Sequence, residues 1–343
     1  MTTLKDIGRE LGLSPATVSR ALNGYPEVGA KTRATVEATA KRMGYRPNRV
    51  AQKLQSGRSG LVGMIVHPDP ALPKDRSFVE VMLGLSQELA ARDLDLLFQV
   101  AADPDLLTPY QRLIEMQTVD GFLLNAPRRD DPRVAYLRQM QVPFVVHGRD
   151  SDQADYAYYD IDNAAVAQMS TDLLLDLGHR RIALLNGPAP RSYAQDRHAA
   201  FKACLTARGG LYQPQLVIHD DQGPDFAYRS ALAMLSERFG SRPTALLCAT
   251  TVMAEGVLRA ASDLGLAVPT DLSVVAHDDG VPDLWPTRVP PSLTVTRAPL
   301  RAACAPLAHL LVEALDGAPA SQITARVDMI VRASTGPAPS PHR

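Results

Sequence analysis

A chain of 343 residues with a formal net charge of −1 has room for two or three folded units and a sizeable core. Its 45% hydrophobic and 21% charged residues are those of an ordinary globule, and no apolar run approaches the ~18 residues of a membrane span, which argues against membrane-spanning helices. The near-zero charge hides an asymmetry: through Arg58 there are eleven basic residues against four acidic, leaving 25 basic and 33 acidic in the remainder, and a basic module on an acidic body is the electrostatic footprint of polyanion binding by one end.

The start, MTTLKDIGRE, is polar, so no secretory signal peptide is expected. Leu4, Ile7 and Leu11 recur at helical spacing and Gly12 breaks the run. Ser14 then sits as an N-cap with Pro15 at the first helical position, where proline's missing N–H costs nothing. Val18 and Leu22 give this second short helix its apolar side, while Ala16, Thr17, Ser19 and Arg20 crowd its outward half. Small and hydroxylated side chains let a helix enter a major groove closely, and an arginine pairs with guanine. Asn23-Gly24 stops the helix, and Val36, Ala40 and Met43 pack a third one that Gly44 ends. After it, Pro47–Gly57 reads as a short segment that Asn48 caps. Alone such a helix is marginal, because nucleation is costly, and it forms only when a partner packs on it. A membrane-surface helix would also be basic, but this stretch lacks the bulky aromatic face such helices use.

The run SPATVSRALNG followed by KTRATVEATAKRMGYRPNRVAQKL resembles the DNA-binding headpiece and hinge of the LacI/GalR family of bacterial transcription regulators. The resemblance implies that Ser14, Pro15, Ala16, Thr17, Ser19 and Arg20 face DNA. Pro15 has no donor and Ala16 only touches a thymine methyl, so most base reading falls to Thr17 and Arg20, with DNA shape contributing. It also implies phosphate contacts from Lys31, Thr32 and Tyr45. The hinge residues Asn48, Ala51 and Leu54 are implied at the minor groove, Leu54 as the wedge that family members push between base steps. A palindromic double-stranded operator and a homodimer follow from the same resemblance.

From Leu61 the pattern changes to alternating β and α. LVGMIV, DLLFQV, GFLLNA and PFVVHG are apolar runs of strand length, and VEVMLGLSQELAARDL and PYQRLIEM have the helical period. The rhythm restarts through NAAVAQMSTDLLLDLGHRRIALLNG, AFKACLTARG, TALLCAT, LRAASDLGL and LSVVAHDD, with VDMIVRAST as a closing strand. Continuous apolar strands separated by helices predict parallel sheets covered on both faces. Two such halves with no Walker A or G-x-G-x-x-G fingerprint argue for a ligand cleft between lobes. The expected fold is therefore an all-α helix-turn-helix headpiece followed by an α/β two-lobed body, which resembles the periplasmic-binding-protein type I body of the family. The boundaries are 1–46 for the headpiece, 47–59 for the hinge, 60–336 for the body and 337–343 for a disordered Pro-rich tail. No leucine heptad follows, so the expected assembly stops at a dimer.

In such sheets ligands sit outside the carboxyl ends of the strands. Asn125 ends GFLLN, His147 and Arg149 end FVVHGR, Asp160 ends YYD and Asp278 ends SVVAHD. By resemblance, Arg197 in GPAPRSYAQDRHAAF and Asp278 match effector-contacting positions, Asn125 a cleft-facing one, and Phe78 a pocket aromatic. A guanidinium, carboxylates and amides beside an aromatic face suit the hydroxyls and apolar ring face of a sugar. Where many members carry Asn-Asp this chain has Thr250-Thr251, and Gln222 takes the place of a stacking aromatic. Trp285, in the loop after Asp279, is a candidate for that surface, the other reading being a dimer or core residue. The competing reading is structural: Asp278 and Asp279 cap a loop and Arg197 makes an ion pair.

Cys204, Cys248 and Cys304 are few, odd in number and far apart, which fits reduced thiols in the cytoplasm better than a disulfide framework. No His/Cys cluster has zinc spacing, so neither metal nor cofactor is expected. Adjacent carboxylates (Asp220-Asp221, Asp278-Asp279) point apart, and no Ser, His or Cys stands in a nucleophile-elbow context, so no enzyme is expected. His179 in LGHRRIALL reads as structural. The stretches FVVHGRD…YYDID and LRAACAPLAHLLVEAL are similar to regulators of α-glucoside utilisation, which implies a repressor of carbohydrate genes released by a sugar. The alternatives are a corepressor-dependent regulator sensing a metabolite such as a purine, and a sugar-binding transport component. The basic headpiece and the polar start speak against the second.

Overall fold

Thr3 opens the first helix, α1 (Leu4–Leu11), by a reciprocal cap: its hydroxyl accepts from Asp6 N–H at 3.3 Å and the Asp6 carboxylate accepts from Thr3 N–H at 2.9 Å. A computed structural model of the chain describes residues 2–22, 24–45, 57–66, 76–101, 105–219, 223–236, 242–282, 286–288 and 290–340. Gly12, at φ 67°, ends α1 in the left-handed conformation that a side chain disfavours. The expected cap of α2 (Pro15–Leu22) is present: Ser14 Oγ accepts from Thr17 N–H at 3.0 Å. With α3 (Ala30–Arg42), these helices bury Ile7, Val18, Ala21, Val28, Val36 and Ala40 together. Arg42 pairs with Glu10, tying α3 to α1.

The chain divides into two units, Met1–Ser59 and Gly60–Arg343. The second holds two six-stranded sheets. Strands β1 (Leu61–Val66), β2 (Asp95–Val100), β3 (Gly121–Asn125), β4 (Phe144–His147) and β5 (Tyr158–Ile161) lie in the first, and β6 (Ile182–Asn186), β7 (Val217–His219), β8 (Ala245–Cys248), β9 (Ser273–Asp278) and β10 (Thr294–Arg297) in the second. The return segments β11 (Gln322–Ala325) and β12 (Asp328–Ile330) complete them, in the orders β11-β5-β4-β3-β1-β2 and β12-β10-β9-β8-β6-β7. Every pair is parallel except β10 with β12. Helices α4 (Arg76–Ala90), α5 (Thr108–Glu115), α6 (Pro132–Gln139) and α11 (Arg301–Leu315) serve the first lobe. Helices α7 (Asn163–Asp176), α8 (Ser192–Ala207), α9 (Pro224–Leu235) and α10 (Thr251–Asp263) serve the second. Continuous burial of strands such as Ile182–Asn186 is what helices on both faces require.

The chain passes between lobes after β5, after β10 and between β11 and β12. Val166, Ala298 and Val327, one beside each crossing, form a small apolar cluster with Ile161 against them. Asp162 N–H donates to Ala325 O at 3.0 Å, bonding two of the crossings directly.

One expectation is corrected. The tail from 337 is not free at its start: Ala338 N–H donates to Leu177 O at 2.8 Å, just after Gly336 O accepts from the His179–Ser273 pair. His179 is fully buried, with Nδ1 2.9 Å from Thr244 Oγ1 and Nε2 3.0 Å from Ser273 Oγ, so its structural reading holds. These backbone bonds hold a proline-rich segment that composition alone reads as disordered; residues 341–343 lie outside the described residues. Among the described residues, no helix is long and apolar enough to cross a membrane.

Candidate DNA-reading helix and effector cleft

On α2, Pro15, Ala16 and Arg20 are exposed, and Thr17 and Ser19 half-buried, while Val18 and Ala21 face the core. Arg20 makes no ion pair or hydrogen bond among the described residues, so its five donors are available to a partner. Thr17 Oγ1 lies 2.8 Å from Ser14 Oγ, so two of the hydroxyls the sequence offers to DNA are paired with each other. Lys31 is exposed and Thr32 half-buried in the first turn of α3, the end that favours anions. Tyr45 is half-buried against the headpiece core, which raises its phenol pKa, so it packs as well as presenting its hydroxyl. Sequence reasoning missed Arg33. Its Nη2 donates to the carbonyls of Tyr25 at 2.8 Å, Gly24 at 3.2 Å and Val28 at 3.4 Å, fixing the turn that follows the exposed helix. Asn48, Ala51 and Leu54 lie outside the described residues.

In the body, the strand ends named from sequence converge in part. His147 Nδ1 lies 3.0 Å from Asn125 Oδ1, across neighbouring strands. Burial holds the imidazole neutral, with its pKa lowered to about 4. Arg149 Nε is 3.5 Å from Asp160 Oδ2, a close approach without an aligned hydrogen bond. Asp160 is buried, its Oδ1 accepting from Ile161 N–H at 2.8 Å and Asn163 Nδ2 at 3.1 Å. Burial pushes its carboxyl up to about 6, against the opposing pull of the Ile161 N–H and Arg149. Asn163, which the sequence reading did not single out, passes the contact on: its Oδ1 accepts from Arg197 Nε at 2.9 Å.

Arg197, on α8, also donates through Nη1 to Ala249 O at 3.0 Å and lies over the Tyr193 ring at 5.4 Å. The guanidinium is therefore held by neutral acceptors, and Nη2 makes no hydrogen bond among the described residues. Burial lowers its pKa against the field of Asp279, Tyr193 and Asp160. Asp278, 2% exposed, accepts from Gly280 N–H and from Arg297 Nη1, both at 2.9 Å. Asp278 thus binds the loop after β9 and pairs with Arg297, and Arg197 makes no ion pair among the described residues. Beside it, His277 is fully buried, with Nδ1 2.9 Å from Thr296 Oγ1 and Nε2 3.4 Å from Asp279 Oδ1 but unaligned.

Two sites stand apart from this path. Thr250 caps α10, its hydroxyl accepting from Met253 N–H at 3.2 Å, which leaves its own proton to donate. Phe78 packs on Phe98 with centroids 5.6 Å apart, beside the first lobe's core. Gln222 and Trp285 lie outside the described residues. Polar groups from both sheets thus gather at the carboxyl ends of their strands, where α/β sheets hold their ligands.

A small basic three-helix unit with an exposed arginine-bearing helix, joined to such a body, defines the class: a DNA-binding protein with a ligand cleft. Residues 3–48 match the bacterial regulatory proteins of the lacI family, and residues 171–335 match the periplasmic binding protein-like domain. The chain is 40% identical over 339 residues to the HTH-type transcriptional regulator AglR of Rhizobium meliloti (strain 1021), covering 98% of this chain and 95% of that one. The lac repressor dimer bound to operator and the anti-inducer ONPF superposes with a TM-score of 0.81 at 27% identity, over 98% of this chain and 99% of that one. A complex of the transcriptional regulator CelR with cellobiose gives a TM-score of 0.71 at 27% identity, over 97% and 100%. The chain belongs to the LacI family of bacterial transcription regulators. It is a DNA-binding regulator and not an enzyme.

Proposed function

We propose that this regulator is a cytoplasmic, dimeric repressor of carbohydrate-utilisation genes whose hold on a palindromic operator is released by a sugar of the α-glucoside class. The observation that carries the ligand half is the buried path from Asp160 through Asn163 to Arg197, which joins strand ends of one lobe to a helix of the other. An under-solvated carboxylate and a guanidinium whose Nη2 bonds to none of the described residues are matched by vicinal hydroxyls, which donate to the first and accept from the second. The cellobiose complex of CelR supports a disaccharide as the type of ligand. The α-glucoside assignment rests on the FVVHGRD…YYDID and LRAACAPLAHLLVEAL stretches.

In this reading Arg149, Asp160, Arg197 and Asp278 contact the effector directly, with Asn125 and Thr250 at hydroxyls and Phe78, Gln222 and Trp285 around the sugar. Thr17 and Arg20 read bases, Lys31, Thr32 and Tyr45 hold phosphates, and Asn48, Ala51 and Leu54 act at the minor groove. Ligand binding biases the angle between lobes, and operator affinity falls only to the extent that the sugar prefers the released arrangement.

The test is fluorescence anisotropy on the promoter DNA beside its own gene, with and without maltose, sucrose and trehalose. Release by one of them is expected. Tightening would mark a corepressor, and no binding at low salt by an intact dimer would overturn the proposal. In Arg197→Ala the sugar-driven release should weaken by about 100-fold, since truncating one partner of a buried polar pair costs about 2–5 kcal/mol. Its sugar-free operator affinity should stay within about threefold, because that contact lies in the other unit.

A further inference from the structure

Asp196 precedes Arg197 on α8, a helix of the second lobe, yet its carboxylate reaches two arginines of the first. It pairs with Arg129, in the loop after β3, and lies 3.9 Å from Arg149 Nη2, just beyond β4. The surrounding backbone draws the same segments together. Ser192 N–H and its hydroxyl both donate to Pro127 O at 3.0 Å, the Arg191 guanidinium donates to Ala126 O, and Arg128 and Arg191 form an antiparallel bridge.

Arg149 therefore stands between two carboxylates, Asp196 from across the cleft and Asp160 from its own sheet. Asp152 is a third acid nearby, 3.4 Å from Arg129 and 3.9 Å from Arg149, but its side chain is 74% exposed where that of Asp196 is 10% exposed. Exposed pairs contribute little, while a sheltered carboxylate that faces two guanidinium groups fixes both. Burial raises the Asp196 carboxyl pKa, opposed by Arg129 and Arg149, so its charge depends on keeping those partners.

We propose that Asp196 is a positioning residue of the effector site: it latches the first lobe across the cleft through Arg129 and holds Arg149 in place beside Asp160. The inference rests on the effector reading above. The latch sets how much of the closing cost the ligand must supply, and the Arg149 contact sets which hydroxyl it meets.

The experiment uses the full chain and the variants Asp196→Asn, Asp196→Glu, Arg129→Gln, Asp152→Asn and the double Asp196→Asn/Arg129→Gln. Each latch variant should lower the melting temperature of the body by roughly 2–4 °C, and the double by little more than either single change. The maltose, sucrose or trehalose concentration for half-release should rise roughly 5–50-fold in Asp196→Asn and recover mostly in Asp196→Glu. Asp152→Asn should shift it less than about twofold. Additive melting losses would overturn the latch. A lowered melting temperature with an unmoved sugar midpoint would reduce Asp196 to a structural residue and overturn the positioning role. If the unaltered protein answers none of the sugars, the effector reading fails, and the melting cycle still decides the latch.

Discussion

In the headpiece, α2 exposes Pro15, Ala16 and Arg20 above a core of six apolar side chains, whereas in the body Asp160, Arg197 and Asp278 are all less than 9% exposed. The first arrangement suits a partner that comes to the surface already formed, such as the edge of a DNA groove. The second suits a small molecule that must be desolvated among fixed donors and acceptors. The difference reaches into energetics. A headpiece with so small a core has little stability to lose. The body buries several apolar clusters and tolerates ionisable groups inside.

The largest effect should come from attacking the smaller core. Ile7 is fully buried in the headpiece core. Ile7→Asp places an unpaired carboxylate there, a cost of several kcal/mol that the unit cannot absorb. Operator binding should fall at least ~100-fold, while the melting of the body, followed by the fluorescence of the chain's one tryptophan, Trp285, should stay within about 1 °C. A body that melts in step with the headpiece would break the comparison.

The same contrast explains how much was legible beforehand. Helix caps, turn glycines and the outward residues of α2 are local, so Ser14, Gly12 and Arg20 are readable from a dozen neighbouring letters. Strand ends were also readable, which placed Asn125, Arg149, Asp160 and Asp278. What the sequence could not show was which of them meet. Asn163 joins Asp160 to Arg197 only because α7 and α8 pack side by side. Asp196 finds Arg129, 67 positions away, only because the loop after β3 is bonded to the start of α8. The acid beside Arg197 in AQDRHAAF and the Asp-Asn pair opening α7 were the available signals, and neither carries a partner's address. The tail was misread for the same reason: Gly336 and Ala338 are held by residues far away in the chain.

The next effect uses acid. All the histidines with shifted pKa values lie in the body, and the headpiece through Ser59 contains no histidine. Burial lowers His147 to about 4, His277 well below its ordinary value, and His179 and His198 in the same direction. A histidine whose folded pKa lies below its unfolded value contributes stability that is complete above about pH 6.5 and drains away as pH falls toward the folded pKa. Asp160, raised to about 6, works the other way: its ionised form costs stability above that pH, and protonation on acidification returns it. Asp196 is raised in the same direction. Four histidines outweigh two carboxylates, so the body should lose on the order of 2 kcal/mol between pH 7 and 5. The headpiece should hold constant over that range, since its one shifted carboxylate, Asp6, is lowered by its bonds to Thr3 and titrates below the window. Urea unfolding of the body by Trp285 fluorescence, beside hydrogen exchange of residues 4–42, measures both. Equal slopes in the two units would contradict the assignment.

The smallest effect separates two kinds of headpiece residue. Arg20 and Lys31 are both exposed cations, one on α2 and one in the first turn of α3, and affinity at a single salt concentration would confuse them. Arg20→Ala should cost roughly 10–100-fold on the native operator and much less on DNA altered at the base pair it reads, because a bidentate base contact carries about 1–3 kcal/mol of discrimination. Lys31→Ala should weaken native and scrambled DNA alike, by only a few-fold, and reduce the slope of log affinity against log salt by about 1, the signature of one phosphate contact released. The measurement is anisotropy on both DNAs from 50 to 200 mM salt. If Lys31→Ala changes sequence preference, or Arg20→Ala changes only the salt slope, the roles are exchanged and α3, rather than α2, lies at the base edges.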